Sequence, residues 1–187
     1  TFANYGFLNR TTPTGTINPA AIQNYSIYAS NRIAASEFNA FSDERIKKIK
    51  GVSNSKEDLK TLMAIEITNY RLKDSIAKGN NNYKKVIAQQ VEKVYPQAVS
   101  KITDVIPDIY QQAEMRNGNV TIDNTLKVGD KVKVIFESGE ALVEIRDAHS
   151  KGFKIDSNKT EKIFVYGRQV TDFHTVDYEA LSTLNIS

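Results

Sequence analysis

Between Asn117-Gly118 and Phe173 the apolar positions follow a period of two, interrupted by turn signals about every ten residues. Lys131-Val-Lys-Val134 alternates, and Ile135-Phe136 runs to the Ser138-Gly139 turn. Ala141 to Ile145, Gly152 to Ile155 and Lys162 to Tyr166 follow, the last ending at Gly167. Four or five short strands at that spacing predict a small barrel or curled meander. Upstream the period changes. Ser55 precedes Lys56 to Ala64, where Leu59, Leu62 and Met63 fall at helical spacing. Ile65 to Lys73 reads as a strand, Gly79 to Asn82 as a turn, and Tyr83 to Ile87 as the returning strand of a hairpin. Ala88 to Val94 places Val91 and Val94 on one helix face, with Pro96 as a stop. Asp177 to Asn185 is a last short helix with Ala180, Leu181 and Leu184 on one stripe, too short to stand without packing on something.

The segment before Ser42 is of another kind. Of the 47 charged side chains in the 187 residues, only Arg10, Arg32 and Glu37 precede Ser42. Residues 1–35 are rich in Asn, Thr, Gly, Tyr and Ala, with short β-like stretches such as Tyr25-Ser-Ile-Tyr28 and Arg32-Ile33. They hold too few apolar residues for a core of their own, so they are expected to bury their aromatics against copies of themselves or against upstream structure. A step this abrupt marks a domain boundary: residues 1–41 as the end of a β-rich stalk, 42–187 as a separate domain. The chain opens at Thr1 without a leader-like segment, and reads as the C-terminal piece of a longer protein.

Composition removes several kinds of chemistry. With no cysteine there is no thiol nucleophile, disulfide or cysteine zinc site, and His149 and His174 make a poor histidine metal site. No cofactor or metal is expected. No apolar run approaches the ~20 residues of a membrane-spanning helix, and a net charge of +3 does not argue for nucleic acid. Arg45-Ile-Lys-Lys-Ile-Lys50 lies beside Asp43 and Glu44 without interleaved aromatics, which reads as a solvated helix face.

At the boundary itself, Ser42 is followed five residues on by Lys47. A serine hydroxyl and a neutral lysine amine can form a nucleophile and base pair. The same residues also read as a helix start, with a serine N-cap, acids first and bases later. A third arrangement, Ser42 with His174 and Asp172 or Asp177, would make a triad, although no nucleophile-elbow glycines flank Ser42.

Three segments taken together resemble one family. Phe38-Asn-Ala-Phe-Ser-Asp-Glu-Arg-Ile-Lys47, Tyr83 to Val99, and His174-Thr-Val-Asp-Tyr-Glu-Ala-Leu181 resemble, in this order, the self-cleaving intramolecular chaperone domains of endosialidases, phage tail fibres and neck appendages. The resemblance implies that Ser42 is the nucleophile, Lys47 its partner, and the bond between Phe41 and Ser42 the one cut. Asn39 and Asp43 would then orient the amine or polarise the carbonyl. It also implies a homotrimer that helps an upstream fibre or spike stalk to fold before its release, in a virion tail-fibre precursor, without nucleic acid or membrane. The pattern departs from the family at Lys84 and at Gln89-Gln90-Val91, and the β-rich stretch of about 125–173 resembles an insertion of longer members. The expected fold is α+β: short helices with β-hairpins and an inserted small β-barrel-like subdomain. The alternative is a non-enzymatic trimeric fibre-tip or receptor-binding module.

Overall fold

The computed structural model describes residues 33, 36, 37 and 40–186. The stalk-like stretches Tyr25–Tyr28 and Arg32 lie outside the described residues, as does Asn39. The chain divides into two compact units, Thr1–Ile46 and Lys47–Ser187. In the first, the described element is a 3-10 turn, Glu44–Ile46. The second is mixed α and β. It begins with helix α1 (Ser55–Met63), strand β1 (Thr68–Tyr70), helix α2 (Ser75–Lys78), strand β2 (Tyr83–Lys85), helix α3 (Ala88–Val94) and a 3-10 turn at Pro96–Ala98. Strands β3 (Val99–Val105), β4 (Gln111–Arg116), β5 (Asn119–Thr121), β6 (Lys131–Phe136), β7 (Gly139–His149), β8 (Gly152–Ile155) and β9 (Thr160–Val176) follow, and helix α4 (Tyr178–Thr183) ends the chain.

The expected barrel is present and closed. Neighbours run β3-β9-β4-β5-β8-β7-β6, and β6 pairs back onto β9, so six strands form a ring with β3 attached outside it. Alternation decides which side chains fill it. Val132 and Val134 of β6, Ile145 of β7, Ile155 of β8, Ile163 and Val165 of β9 and Met115 of β4 are at most 2% exposed. The ring begins earlier than the β pattern of the sequence indicated. Strands β4 and β5 precede Thr125, and β4 reads Gln-Gln-Ala-Glu-Met-Arg, whose inward residues are the weak strand formers Ala113 and Met115. Their hairpin turns on Asn117-Gly118, both at positive φ (49° and 77°), as a tight two-residue connection requires. A Cβ on Gly118 would lie 2.5 Å from the carbonyl oxygens of Ile155 and Ser157.

A second, smaller core holds the helices. Val91 of α3, Ala98 and Leu181 of α4 are its buried centre, flanked by Ile65, Val86, Val99 and Val176. Asp177 caps α4, accepting from the Glu179 and Ala180 N–H groups at 2.9 and 3.1 Å. The apolar stripe of the last helix is thus covered within its own chain: Leu181 and Leu184 are 9% and 7% exposed. The hairpin β1–β2 pairs Thr68 with Lys85 and Tyr70 with Tyr83, whose rings stack at 5.6 Å. Arg71 to Lys73 leave the strand, contrary to expectation, because Arg71 turns to donate to Asn82 Oδ1 at 2.7 Å and α2 intervenes.

Asp74 ties this part to the barrel. Its carboxylate caps α2 through the Ala77 N–H (3.0 Å) and accepts from the hydroxyls of Tyr110 (3.0 Å) and Tyr166 (3.1 Å) on the barrel's outer face. The Tyr110 hydroxyl in turn accepts from the Ile76 N–H at 3.1 Å. Burial works against the charge of Asp74, yet these donors outweigh it and hold the carboxyl below its usual range. Burial and the facing carboxylate push Tyr166 up to about 12.

Asp74→Ala should lose a cap and two carboxylate hydrogen bonds, lowering stability by about 1–3 kcal/mol in urea unfolding. The clasp's pH window has two edges. A depressed carboxyl stabilises above its ordinary pKa and ceases to as pH falls through its folded value. A raised phenol stabilises fully below about pH 10 and loses that contribution as pH rises towards its folded value. An ultraviolet tyrosinate titration should show one group held back to about pH 12, and Tyr166→Phe should remove that group.

Candidate functional site

The residues around Ser42 are shaped by their own short-range hydrogen bonds. Asp43 accepts from the Arg45 backbone N–H at 2.8 Å and from the Arg45 guanidinium at 2.9 and 2.7 Å. Its backbone oxygen accepts from the Ile46 N–H at 3.3 Å, closing the 3-10 turn. The capping side chain is therefore that of Asp43, one residue later than a serine N-cap would place it. The Asp43–Arg45 pair holds the carboxyl below its usual range and raises the guanidinium. Arg45, a cation that could disfavour charge on Lys47, has its own charge compensated in the single chain, and Asp43 is committed to it.

Phe41, on the acyl side of the bond, is 98% exposed, and Ser42 is exposed as well. Ser42 belongs to the first compact unit and Lys47 opens the second. From Lys47 to Ser53 the backbone is neither helix nor turn, and every side chain is exposed. Ile49 is 64% exposed and Val52 102%. The region immediately after Ser42 therefore has largely exposed apolar side chains, followed by α1, whose Leu59 and Met63 are 55% and 78% exposed.

His174, the rival base, is occupied elsewhere. Its Nε2 lies 3.0 Å from Glu92 Oε2, and its Nδ1 lies 3.4 Å from Gln89 Nε2. Lys101 pairs with the other oxygen of Glu92 at 2.8 Å and, with a smaller contribution from His174, holds that carboxyl below its usual range. Asp177, one of the two aspartates that could complete the triad, caps α4 instead. The cluster joins α3 to the paired strands β3 and β9, with Lys101 opposite His174 in the register. Nothing in the spacing of residues 92, 101 and 174 announces it, since the pairing depends on strands far apart in sequence. Among the described residues no group of three or more acidic or histidine side chains is placed to hold a metal ion, and no helix is long and apolar enough to cross a membrane.

If the cluster is a fastener between α3 and the ribbon, Glu92→Gln should weaken it by removing the charge that both Lys101 and His174 face. Amide hydrogen exchange in α3 and in Thr175–Val176 should quicken, while the barrel strands keep their protection.

In comparison with known families, residues 42–100 fit the model of Peptidase_S74, described as chaperone of endosialidase. No curated protein matches the chain.

Proposed function

We propose, from the match of residues 42–100 to the chaperone-of-endosialidase family, that the domain assembles as a homotrimer, assists an upstream β-rich fibre or spike stalk to fold, and releases itself by cutting between Phe41 and Ser42. The observation that carries this is a coincidence of position. The family match begins at Ser42, the residue at which the charge content of the sequence steps up. Residues 1–41 are then stalk, 42–187 the released domain, and the whole a virion tail-fibre precursor.

The chemistry is an N-to-O acyl shift followed by hydrolysis. Ser42 Oγ attacks the carbonyl carbon of Phe41 while the Lys47 amine takes its proton. The C–N bond breaks, the proton passes to the departing nitrogen, and Phe41 becomes an ester of the Ser42 side chain. Water then cleaves the ester, leaving a carboxylate on Phe41 and a free hydroxyl and amine on Ser42. The nucleophile is already joined to its substrate, so proximity is covalent. The demand falls on the base. At a reference pKa of about 10.4, fewer than about one lysine in a thousand is neutral at pH 7. Bringing it to about 7–8 takes a desolvated setting worth roughly 3–5 kcal/mol. Lys47 is exposed in the single chain, so on this reading assembly supplies that setting.

The single chain has surface to spare for assembly. Ile46, Ile49, Val52, Leu59, Met63 and Ile76 are all more than half exposed and all lie within 35 residues of Phe41, and each full burial would contribute about 1.5–3 kcal/mol.

Intact-mass measurement should find a product beginning at Ser42. Ser42→Ala should stay whole, and Lys47→Arg should do so too, because a guanidinium does not give up its proton. His174→Ala should still cut. The opposite pattern, with Lys47→Arg cut and His174→Ala whole, would return the argument to a triad, and a wild-type chain that stays intact indefinitely would favour the non-enzymatic fibre-tip module.

Coupling between assembly and cleavage is tested at Leu59 and Met63. Leu181 and Leu184 are buried within the chain, so a charge there would damage the monomer. Leu59→Asp with Met63→Asp should leave the monomer's melting temperature nearly unchanged, abolish the trimer in native mass spectrometry and slow cleavage at least tenfold. A monomeric variant that cuts at the wild-type rate would sink the coupling.

A further inference from the structure

The second compact unit holds an open cleft of about 600 Å³ between the hairpin and the far end of β9. Tyr70, Val86 and Ile87 line one side, Val170 and Val176 the other, with the exposed Gln89 and Asp172 also in the lining. This size and this mixture, mostly apolar with a few polar groups, are those of a binding site. Beyond Gln169, strand β9 pairs with β3 alone, so the cleft adjoins a strand with one edge unpaired among the described residues. The same chain carries a segment outside helix and strand, Lys47–Ser53, in which every side chain is exposed, Ile49 at 64% and Val52 at 102%. Both are available in the single chain, and its fold does not bring one to the other.

We propose that the cleft of one copy receives the Lys47–Ser53 segment of a second copy, and that this contact, resting on the autoproteolytic reading above, is what desolvates Lys47. Two features favour this occupant. First, a segment seated as a strand along the open edge of β9 puts alternate side chains on one face, so placing Ile49 among Val86, Ile87 and Val170 carries the Lys47 stem and amine into the same apolar surroundings. Secondly, Lys48 and Lys50 then lie on the opposite face, towards the mouth, where the carboxylate of the exposed Asp172 is the complementary charge. A contact of this kind is heterologous, with different surfaces on the two copies, and three of them related by a threefold axis close a ring. Each Lys47 is completed by its neighbour, and the site is incomplete in a monomer.

The chain contains no cysteine, which makes a disulfide trap clean. In the uncut Ser42→Ala background, Ile49→Cys is placed in one chain and Gln89→Cys in a second chain of different mass. The two are refolded together and oxidised mildly. The expected result is a covalent pair between the two different chains on a denaturing gel. An Ile49→Cys chain mixed with Leu142→Cys, an exposed position on the barrel, serves as the collision control. A yield no higher than that control overturns the proposal. So does a chain carrying both Ile49→Cys and Gln89→Cys that closes only on itself, which would make the segment its own occupant.

Cleavage gives an independent reading. Asp172→Trp and Gln89→Trp alter exposed positions and fill the cleft, and each should slow the cut at least tenfold with little change in melting temperature. Wild-type rates in both would overturn the proposal. If the trap forms but the wild-type chain never cuts, the docking stands and the autoproteolytic reading fails.

Discussion

Strand β9 is the constraint on which the rest depends. It pairs with β4 and β6 at its start, closing the ring of six strands, and then continues to Val176 as the partner of β3. A ring has no edges to protect, so the barrel needs nothing further. The continuation carries that order outward: Val176 packs against the small core of Val91, Ala98 and Leu181, and His174 receives Glu92. The strand changes partner near Gly167, where register shifts and the loop at Ile106–Asp108 comes so close that a Cβ would strike the Ile106 carbonyl and Asp108. A glycine is needed there for that approach. Asp74, bound by two barrel tyrosines, is a second tie between the same two regions.

Against this, the stretch just after Ser42 leaves its apolar side chains largely exposed. Its apolar residues lie on a segment outside helix and strand and on one side of a short helix, where Ile49, Val52, Leu59 and Met63 are all more than half exposed. The contrast within one chain is informative. The inward residues of the ring strands are enclosed almost completely, whereas Ile49, Val52 and Met63, which follow Ser42, are mostly exposed. Scattered exposed leucines are ordinary, but a run concentrated in the segment that matches the chaperone family is what a surface for other copies would look like.

The strands with β-branched inward residues were legible, because Val132, Val134, Ile163 and Val165 alternate with polar neighbours in the sequence. Strand β4 was not, since Ala113 and Met115 carry no strand preference and are buried only because the ring closes around them. Helix α3 was legible from Val91 and Pro96. Helix α2 was not, as four residues capped by Asp74 depend on a turn that the sequence did not mark as helical. For the site, the sequence pointed to the segment by charge, serine and lysine. It could not show that Asp43 would be drawn to Arg45, nor that His174 would meet Glu92, because the first is a matter of rotamer and the second of strand pairing.

The proposed chemistry and the proposed assembly are connected by one charge. An ammonium in water cannot serve as a base, and taking it out of water costs free energy, while Lys47 is exposed in the single chain. A contact between copies can offset it, because burial of isoleucine and methionine side chains contributes energy of the same order as the lysine's desolvation costs. On that proposal the neutral amine exists only in the assembled form, and the rate of the cut would report how much of the protein has assembled. Before the cut, trimer and free chains can exchange. Afterwards the stalk and the domain that brought it together are separate molecules, and a stalk that unfolds no longer has a tethered guide for refolding. Its persistence becomes a question of how fast it unfolds rather than of how favourable its fold is, which is why a cut that waits for assembly would serve a fibre better than one that precedes it.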